Sequence, residues 1–306
     1  MARLLLIDGY YYVYRSFFAI RNLSNSRGEP TNAIYGFVKT VRKMLKDLTP
    51  DFAAVVWDEG LPERRTQLQP EYKQQRAEMP SDLAVQLDTI HEIVPLIGLA
   101  NLSMPNTEAD DLMASYAIAA RAVGHEVILA TNDKDLFQLT GEGVSVYSTN
   151  KTDLASPSDP HALLGEAAVL KKWGVPPSMI GDILALIGDS VDNIPGVPGV
   201  GLKTAATLLV QHGGLDRLLE NPDAIANEKL RGKFRAALDL IRQNREMVRL
   251  DLDLPLPVPV EQLAIRPRYP EWIAALEKWE FKSLTTEVRA ESEKSAPKAG
   301  QGEFLF

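Results

Sequence analysis

Three stretches of this chain run aliphatic residues straight into a carboxylate. LLLID ends on Asp8, AAVVWD ends on Asp58, and EVILATNDKD reaches Asp133 and Asp135. A short, nearly continuous apolar run bounded by Gly, Asp or Pro reads as a strand buried on both faces. Residues 4–8, 53–58, 126–131 and 144–149 fit that description. Between them, 31–48, 81–97 and 108–123 carry helical periodicity. Strands alternating with helices predict an α/β fold with a mainly parallel central sheet flanked by helices. Such sheets place their sites outside the carboxyl ends of the strands, so the terminal aspartates are expected at one rim.

The second half reads differently. Residues 165–185 and 202–250 look helical, joined by a Gly/Pro-rich loop at 188–201. Residues 251–268 are proline-rich and extended, 271–282 form a last helix, and from about 288 the polar, small composition reads as a disordered tail. The expected organisation is an α/β core over 1–165, a helical region over 166–287 and a tail over 288–306. With 306 residues, 45% of them hydrophobic, the chain can bury a substantial core. No apolar run approaches the roughly 18–20 residues of a membrane span. The start is too short and too soon charged for a signal peptide, and cysteine is absent, which fits a cytoplasmic address and leaves no thiolate metal sites; a monomer is expected. The net charge of −8 argues against a general nucleic-acid binder unless acids and bases segregate.

They do segregate. TEADDLMAS places Glu108, Asp110 and Asp111 in a helix first turn, with Thr107 as the expected N-cap and Asp110 in the capping-box position. In TNDKD, Asp133 and Asp135 lie two apart, so an extended backbone would point both the same way. GDSVDN adds Asp189 and Asp192, three apart. Each alone also reads as a helix cap. Together, nine acids at one sheet edge would repel each other unless cations were bound. Oxygen-only ligands suit Mg²⁺ or Mn²⁺. The four histidines (91, 125, 161, 212) form no paired zinc motif. Two ions about 3.5–4 Å apart would suit phosphodiester hydrolysis, one activating water and one stabilising the leaving oxygen.

Two further segments fit that chemistry. IPGVPGVGLKT carries Gly196, Gly199 and Gly201 ahead of an apolar-periodic helix, with Lys203 and Thr204 in its first turn. It reads as a phosphate-binding hairpin or as a plain interhelical turn. It is not a P-loop, because Leu202 intrudes before Lys203 and no strand precedes it. The segment LPERRTQLQPEYKQQR, following Asp58, holds Arg64, Arg65, Lys73 and Arg76 with Tyr72 among them. It reads either as a solvated face or as a set of cations facing a scissile phosphate.

LLLIDGYYYVYRSFFAI, VVWD, PEYKQQR, TEADDLMAS, TNDKDLFQL and GDSVDNIPGVPGVGLKTA, in that order, resemble the 5′-nuclease family. That family includes the 5′→3′ exonuclease domain of bacterial DNA polymerase I, phage 5′ nucleases and flap endonucleases, and the likeness spans about residues 3–285. The resemblance implies a PIN-like core, a helical arch at about 59–80 and a helix-hairpin-helix region. It implies one Mg²⁺ served by Asp8, Asp58, Glu108, Asp110 and Asp111, and a second by Asp133, Asp135, Asp189 and Asp192, with Mn²⁺ substituting. It places Lys73 and Arg76 in an arch over the scissile phosphate, Arg65 as a basic arch residue, Tyr14 stacked on a base near the cut, and K⁺ on the hairpin carbonyls. The usual arch sequence, near FRHELYPEYK, is here RRTQLQPEYK, and the usual Gly-Tyr before EADD is Asn106-Thr107.

The implied activity is structure-specific 5′→3′ exonuclease and flap endonuclease cleavage of branched or 5′-ended duplex DNA, in replication and repair, by a freestanding nuclease. The end QGEFLF, with Gln301, Phe304 and Phe306, resembles peptides that dock into sliding clamps. Alternatives are a catalytically inactive DNA-binding module, an RNA-directed PIN-like nuclease, and a haloacid-dehalogenase-like phosphatase. The last wants an Asp at position 10, where Tyr10 stands.

Overall fold

Leu4, Leu5, Leu6 and Ile7 are completely buried, as are Ala53, Ala54, Val55 and Val56, so two of the apolar runs do form the centre of a sheet. The structure is a computed structural model that describes residues 1–156, 158, 159 and 161–295; Gln301, Phe304 and Phe306 lie outside the described residues. In chain order, β1 (Arg3–Asp8), α1 (Gly9–Ala19), α2 (Asn32–Leu48), β2 (Phe52–Val56), α3 (Glu63–Leu68), α4 (Ser81–Ile97) and β3 (Ala100–Leu102) come first. Next are α5 (Ala109–Ala122), β4 (Glu126–Ala130), β5 (Val144–Ser148), β6 (Ala162–Leu164), α6 (Glu166–Trp173) and α7 (Ile180–Ile187). The remainder is α8 (Leu202–His212), α9 (Leu215–Glu220), α10 (Glu228–Ala236), α11 (Leu238–Val248), α12 (Tyr269–Lys278) and α13 (Lys282–Ser295).

The chain folds into two compact units. The first comprises Met1–Tyr12, Thr49–Met79 and Asn101–Ala264. Its sheet has the order β3-β2-β1-β4-β5-β6. β1 runs parallel to both β2 and β4, β4 runs parallel to β5, and β6 is antiparallel. Strand order therefore reverses between β1 and β4. A crevice opens at the carboxyl ends of two strands whose neighbours are built in opposite directions, and ligands favour that crevice. Asp8 closes β1, and Thr131, Asn132 and Asp133 follow β4 directly. β3 and β6 have three residues each, too few to show a period in the sequence.

The second unit comprises Val13–Leu48, Pro80–Ala100 and the described residues from Ile265 onward. Its core includes Phe37, Val41, Ile90, Val94, Trp272 and Leu276. Buried Gln86 of α4 accepts from Ala33 N at 2.9 Å and Ile34 N at 3.3 Å, closing the open end of α2. The chain does not become irregular at 288, as its composition suggests. α13 runs to Ser295, because Leu284 and Val288 pack one turn apart and Arg42 pairs with Glu287 at 2.6 Å.

Candidate active site

Four of the acids, Asp8, Asp58, Asp133 and Asp189, are fixed in place by backbone N–H groups. Asp8 accepts from Tyr11 N at 3.0 Å, capping α1, and from Thr131 Oγ1 at 2.9 Å. Asp58 accepts from Ala109 N at 3.2 Å, so the strand-end carboxylate, not Thr107, supplies the oxygen at the start of α5. Thr107 is spent elsewhere: its backbone bridges Glu59 and its hydroxyl bonds Pro105 O at 3.2 Å. Asp133 accepts from Asp135 N at 2.8 Å, which curls the chain into a 3₁₀ turn over Asp135–Leu139. The expected extended TNDKD backbone is therefore not found; an Asx-type bond wins over extension. Asp189 accepts from Val191 N at 2.8 Å inside a tight loop closed by mutual Asp189–Ile194 backbone bonds.

The cations come from the basic segment, which folds as short helix α3 followed by turns. Lys73, at φ 56°, pairs with Glu108 and lies 3.9 Å from Asp192. Arg76 pairs with Asp192 at 2.7 Å, and its side chain is 47% exposed. Lys134 pairs with Asp189 at 2.8 Å. Arg65 and Tyr72 depart from the expectation that they face a nucleic acid: both are buried. The Arg65 guanidinium bonds Asp111 at 2.7 and 3.0 Å and also bonds Glu108. The Tyr72 hydroxyl lies 3.2 Å from each Glu108 oxygen. Desolvating charged side chains is costly without partners, and the acids on α5 supply them. Lys134 and Thr131 were not singled out from the sequence, although Lys134 sits visibly between two site acids in NDKD.

Burial first, and repulsion between neighbouring acids second, raise the proton affinity of the site carboxylates. Burial, helped by the Asp58 and Asp133 charges, pushes the Asp8 carboxyl up to about 7. Burial and then Asp133 push Asp110 and Asp135 well up. Asp58 is raised by burial, with Glu108 adding. Asp133 is also raised by burial, with Asp192 and Asp189 adding. Glu108 goes the other way: burial opposes its charge, but Lys73 and Arg65 hold it below the usual range. Among the described residues, Asp110 and Asp135 accept no hydrogen bond and have no ion pair. As placed, no three Asp, Glu or His side chains among the described residues gather closely enough to grip an ion. The donor set is oxygen only, and two half-buried carboxylates lack a partner among the described residues. Both fit a hard divalent cation.

The glycine loop joins α7 to α8. Gly188 has φ 71°, and a Cβ on Gly196 would overlap the Ile187 carbonyl, so the two chain segments touch backbone to backbone. Asn244 of α11 fastens the loop by donating to Ala185 O at 3.0 Å and Pro195 O at 2.7 Å. Gly201 precedes α8 without a side-chain cap, and Lys203 and Thr204 occupy its first turn. Lys233 of α10 reaches this loop: its Nζ stands 2.7 Å from where a Cβ of Gly199 would be. A Gly196→Ala variant should lose about 2 kcal/mol or more of stability in urea denaturation, because neither backbone segment can move aside. Tyr14, in the second unit, lies on α1 stacked with Phe18 at 6.4 Å between ring centroids.

Known proteins give this arrangement a family. Residues 3–174 match the family model described as "5′-3′ exonuclease, N-terminal resolvase-like domain", and 175–271 match "5′-3′ exonuclease, C-terminal SAM fold". The Aquifex aeolicus 5′-3′ exonuclease is 38% identical over 289 residues, covering 94% of this chain and 96% of that protein. The chain belongs to the 5′-3′ exonuclease family. It is a 5′ nuclease, a hydrolase acting on DNA phosphodiester bonds. The nuclease is 40% identical to the thermostable DNA polymerase I of Thermus thermophilus, over 93% of this chain but 33% of that one. The bacteriophage T5 flap endonuclease, solved as a pseudo-enzyme-product complex with DNA and metal ions, shares its fold. The TM-score is 0.68 at 20% identity, over 95% of this chain and 99% of that one. The catalytic core of Rad2 in complex with DNA substrate matches at TM-score 0.62 and 15% identity, over 95% and 91%. The expected α/β nuclease core followed by a helical region is therefore the fold of this 5′ nuclease.

Proposed function

We propose that this nuclease cuts branched or 5′-ended duplex DNA as a structure-specific 5′→3′ exonuclease and flap endonuclease, using two divalent ions, Mg²⁺ with Mn²⁺ able to replace it. The observation that supports it most is the row of carboxylates held at raised proton affinity in the β1/β4 crevice: buried Asp8 and half-buried Asp58, Asp110, Asp133 and Asp135. These acids, with Glu108, Asp189 and Asp192, would hold the ions, which when bound supply an activated nucleophile and charge stabilisation at the phosphate. Asp8 and Asp133, each tied to the neighbouring backbone, keep the oxygens oriented before substrate arrives.

Lys73 and Arg76 supply positive charge beside the carboxylates. On leaving Glu108 and Asp192 for a scissile phosphate, they would offset the charge that develops there. Lys73→Ala should therefore slow single-turnover flap cleavage by roughly 10²-fold, an effect of the size seen when one transition-state donor is lost, with flap affinity changed far less. Equal losses in both would remove Lys73 from the chemistry. The hairpin Gly196, Gly199, Gly201, Lys203 and Thr204 would grip duplex backbone, with K⁺ on its carbonyls, and Tyr14 would stack on a base near the cut. Binding by backbone phosphates reads shape, not sequence.

No described helix is long and apolar enough to cross a membrane; the cytoplasmic site of action follows from the proposed work on DNA. The clamp-docking role of Gln301, Phe304 and Phe306 rests on the sequence alone. The decisive experiment is a cleavage series on 5′-labelled flap, nick and blunt duplexes with Mg²⁺, Mn²⁺ and chelator. Cleavage at the flap junction that depends on divalent ion supports the reading; cleavage that survives chelation, or equal cutting of RNA and DNA flaps, overturns it.

A further inference from the structure

Arg65 is among the largest fully buried side chains in the protein and is 2% exposed. A guanidinium carries five N–H donors, and Arg65 makes five hydrogen bonds. Nε donates to Met247 O at 2.9 Å and Nη2 to Arg249 O at 3.0 Å, both at the end of α11. The remaining three go to the start of α5: two to Asp111, at 2.7 and 3.0 Å, and one to Glu108. Asp111 has a matching account. Its two oxygens take the Arg65 fork, and Oδ1 also accepts from Asp251 N at 2.9 Å. The charges that bear most on Asp111 are those of Arg65 and Asp251, whereas Asp110 next to it feels Asp133, Lys73, Asp58 and Asp8. Asp110 and Asp111 are adjacent in sequence but face different company.

Building on the proposed two-ion nuclease, we infer that Arg65 is a positioning residue and Asp111 its anchor, outside the ion-binding set. The fork fixes the guanidinium between the α11 carbonyls and α5, and its fifth N–H then holds the Glu108 carboxylate in the direction the site needs. An Arg fork of this kind is directional, and an ammonium does not reproduce it. Partners of ligand residues commonly change metal affinity by about 10- to 100-fold when altered. That is the size expected for Arg65→Lys, which keeps the charge and loses the fork.

The test is calorimetric titration of Mn²⁺ into the full chain and into Arg65→Lys, Asp111→Asn and Asp110→Asn. Wild type, Arg65→Lys and Asp111→Asn should bind the same number of ions, the two variants about 10- to 100-fold more weakly. Asp110→Asn should lose an ion. Arg65→Lys and Asp111→Asn should not add in the double variant, since they break one unit. In single-turnover assays, excess Mn²⁺ should restore the Arg65→Lys rate. An independent readout needs no variant: in crystals of the wild-type chain grown with Mn²⁺, the Asp111 carboxylate should remain on Arg65 and touch neither ion. The inference is overturned if Asp111→Asn loses an ion as Asp110→Asn does, if Arg65→Lys titrates like wild type, or if an ion sits on Asp111. A wild-type chain that takes up no Mn²⁺ would bring down the nuclease reading itself. Ion uptake by wild type with an unaffected Arg65→Lys brings down only the role given to Arg65.

Discussion

Asp133→Ala should abolish flap cleavage, by roughly 10³-fold or more, while flap binding stays measurable. Asp133 stands at the electrical centre of the crevice: its charge acts on Asp8, Asp110 and Asp135, and those of Asp189 and Asp192 act on it. Removing it alters the field at Asp8, Asp110 and Asp135. The hairpin that would hold duplex, from Gly196 to Thr204, is tied to α7 and α11 by its own bonds and does not depend on Asp133. Alanine also deletes the acceptor for Asp135 N, so Asp133→Asn, which keeps an acceptor, separates charge from turn geometry. Both variants should fail in single-turnover cleavage and shift a labelled flap in a binding assay. Cleavage within tenfold of wild type by Asp133→Asn would remove it from the chemistry.

In chelator, the protein should be more stable at pH 5.5 than at pH 8, the reverse of what an acid-sensitive fold shows. The Asp8 carboxyl is raised from 3.8 to about 7 in the folded chain. A folded state that holds a proton more tightly than the unfolded one is stabilised at low pH. That stability is complete below about 4 and disappears as pH rises through about 7. Asp8 alone corresponds to at most about 4 kcal/mol, at roughly 1.4 kcal/mol per pH unit. Asp110, Asp133 and Asp135 shift in the same direction. A divalent cation replaces those protons, so saturating Mg²⁺ or Mn²⁺ at pH 8 should recover about 2–3 kcal/mol once it exceeds its Kd about 100-fold. Urea denaturation at the two pH values, with chelator and with Mn²⁺, measures both effects. A chelator profile that is flat or rises toward pH 8 contradicts the crowding of these acids.

The parts legible in the sequence were those governed by period and burial. The apolar runs at 4–8, 53–58, 126–131 and 144–149 and the helices at 31–48, 81–97 and 108–123 stand within a few residues of β1, β2, β4, β5, α2, α4 and α5. Parallel strands buried on both faces leave little else for such runs to be. Strands of three residues carry no period, so β3 and β6 were invisible. Competition between a side chain and the backbone was also hard to foresee. Thr107 looked like the cap of α5, yet a carboxylate from 51 residues upstream took the place. Asp133 and Asp135 looked extended, yet one bonded the other's amide. The basic segment could be read as charge but not as direction. Whether Arg65 points to solvent or inward depends on carbonyls at 247 and 249, about 180 residues away, and no local pattern announces them.

Asp8 and Asp58 each start a helix as well as lining the crevice. A descendant of this chain that had given up cutting would still need an oxygen at both positions to begin α1 and α5. Retention of these two aspartates in a distant cousin thus says little about whether that cousin is a working enzyme. Asp110 and Asp135, which close no turn with their side chains, are the positions where lost chemistry would first leave a visible trace.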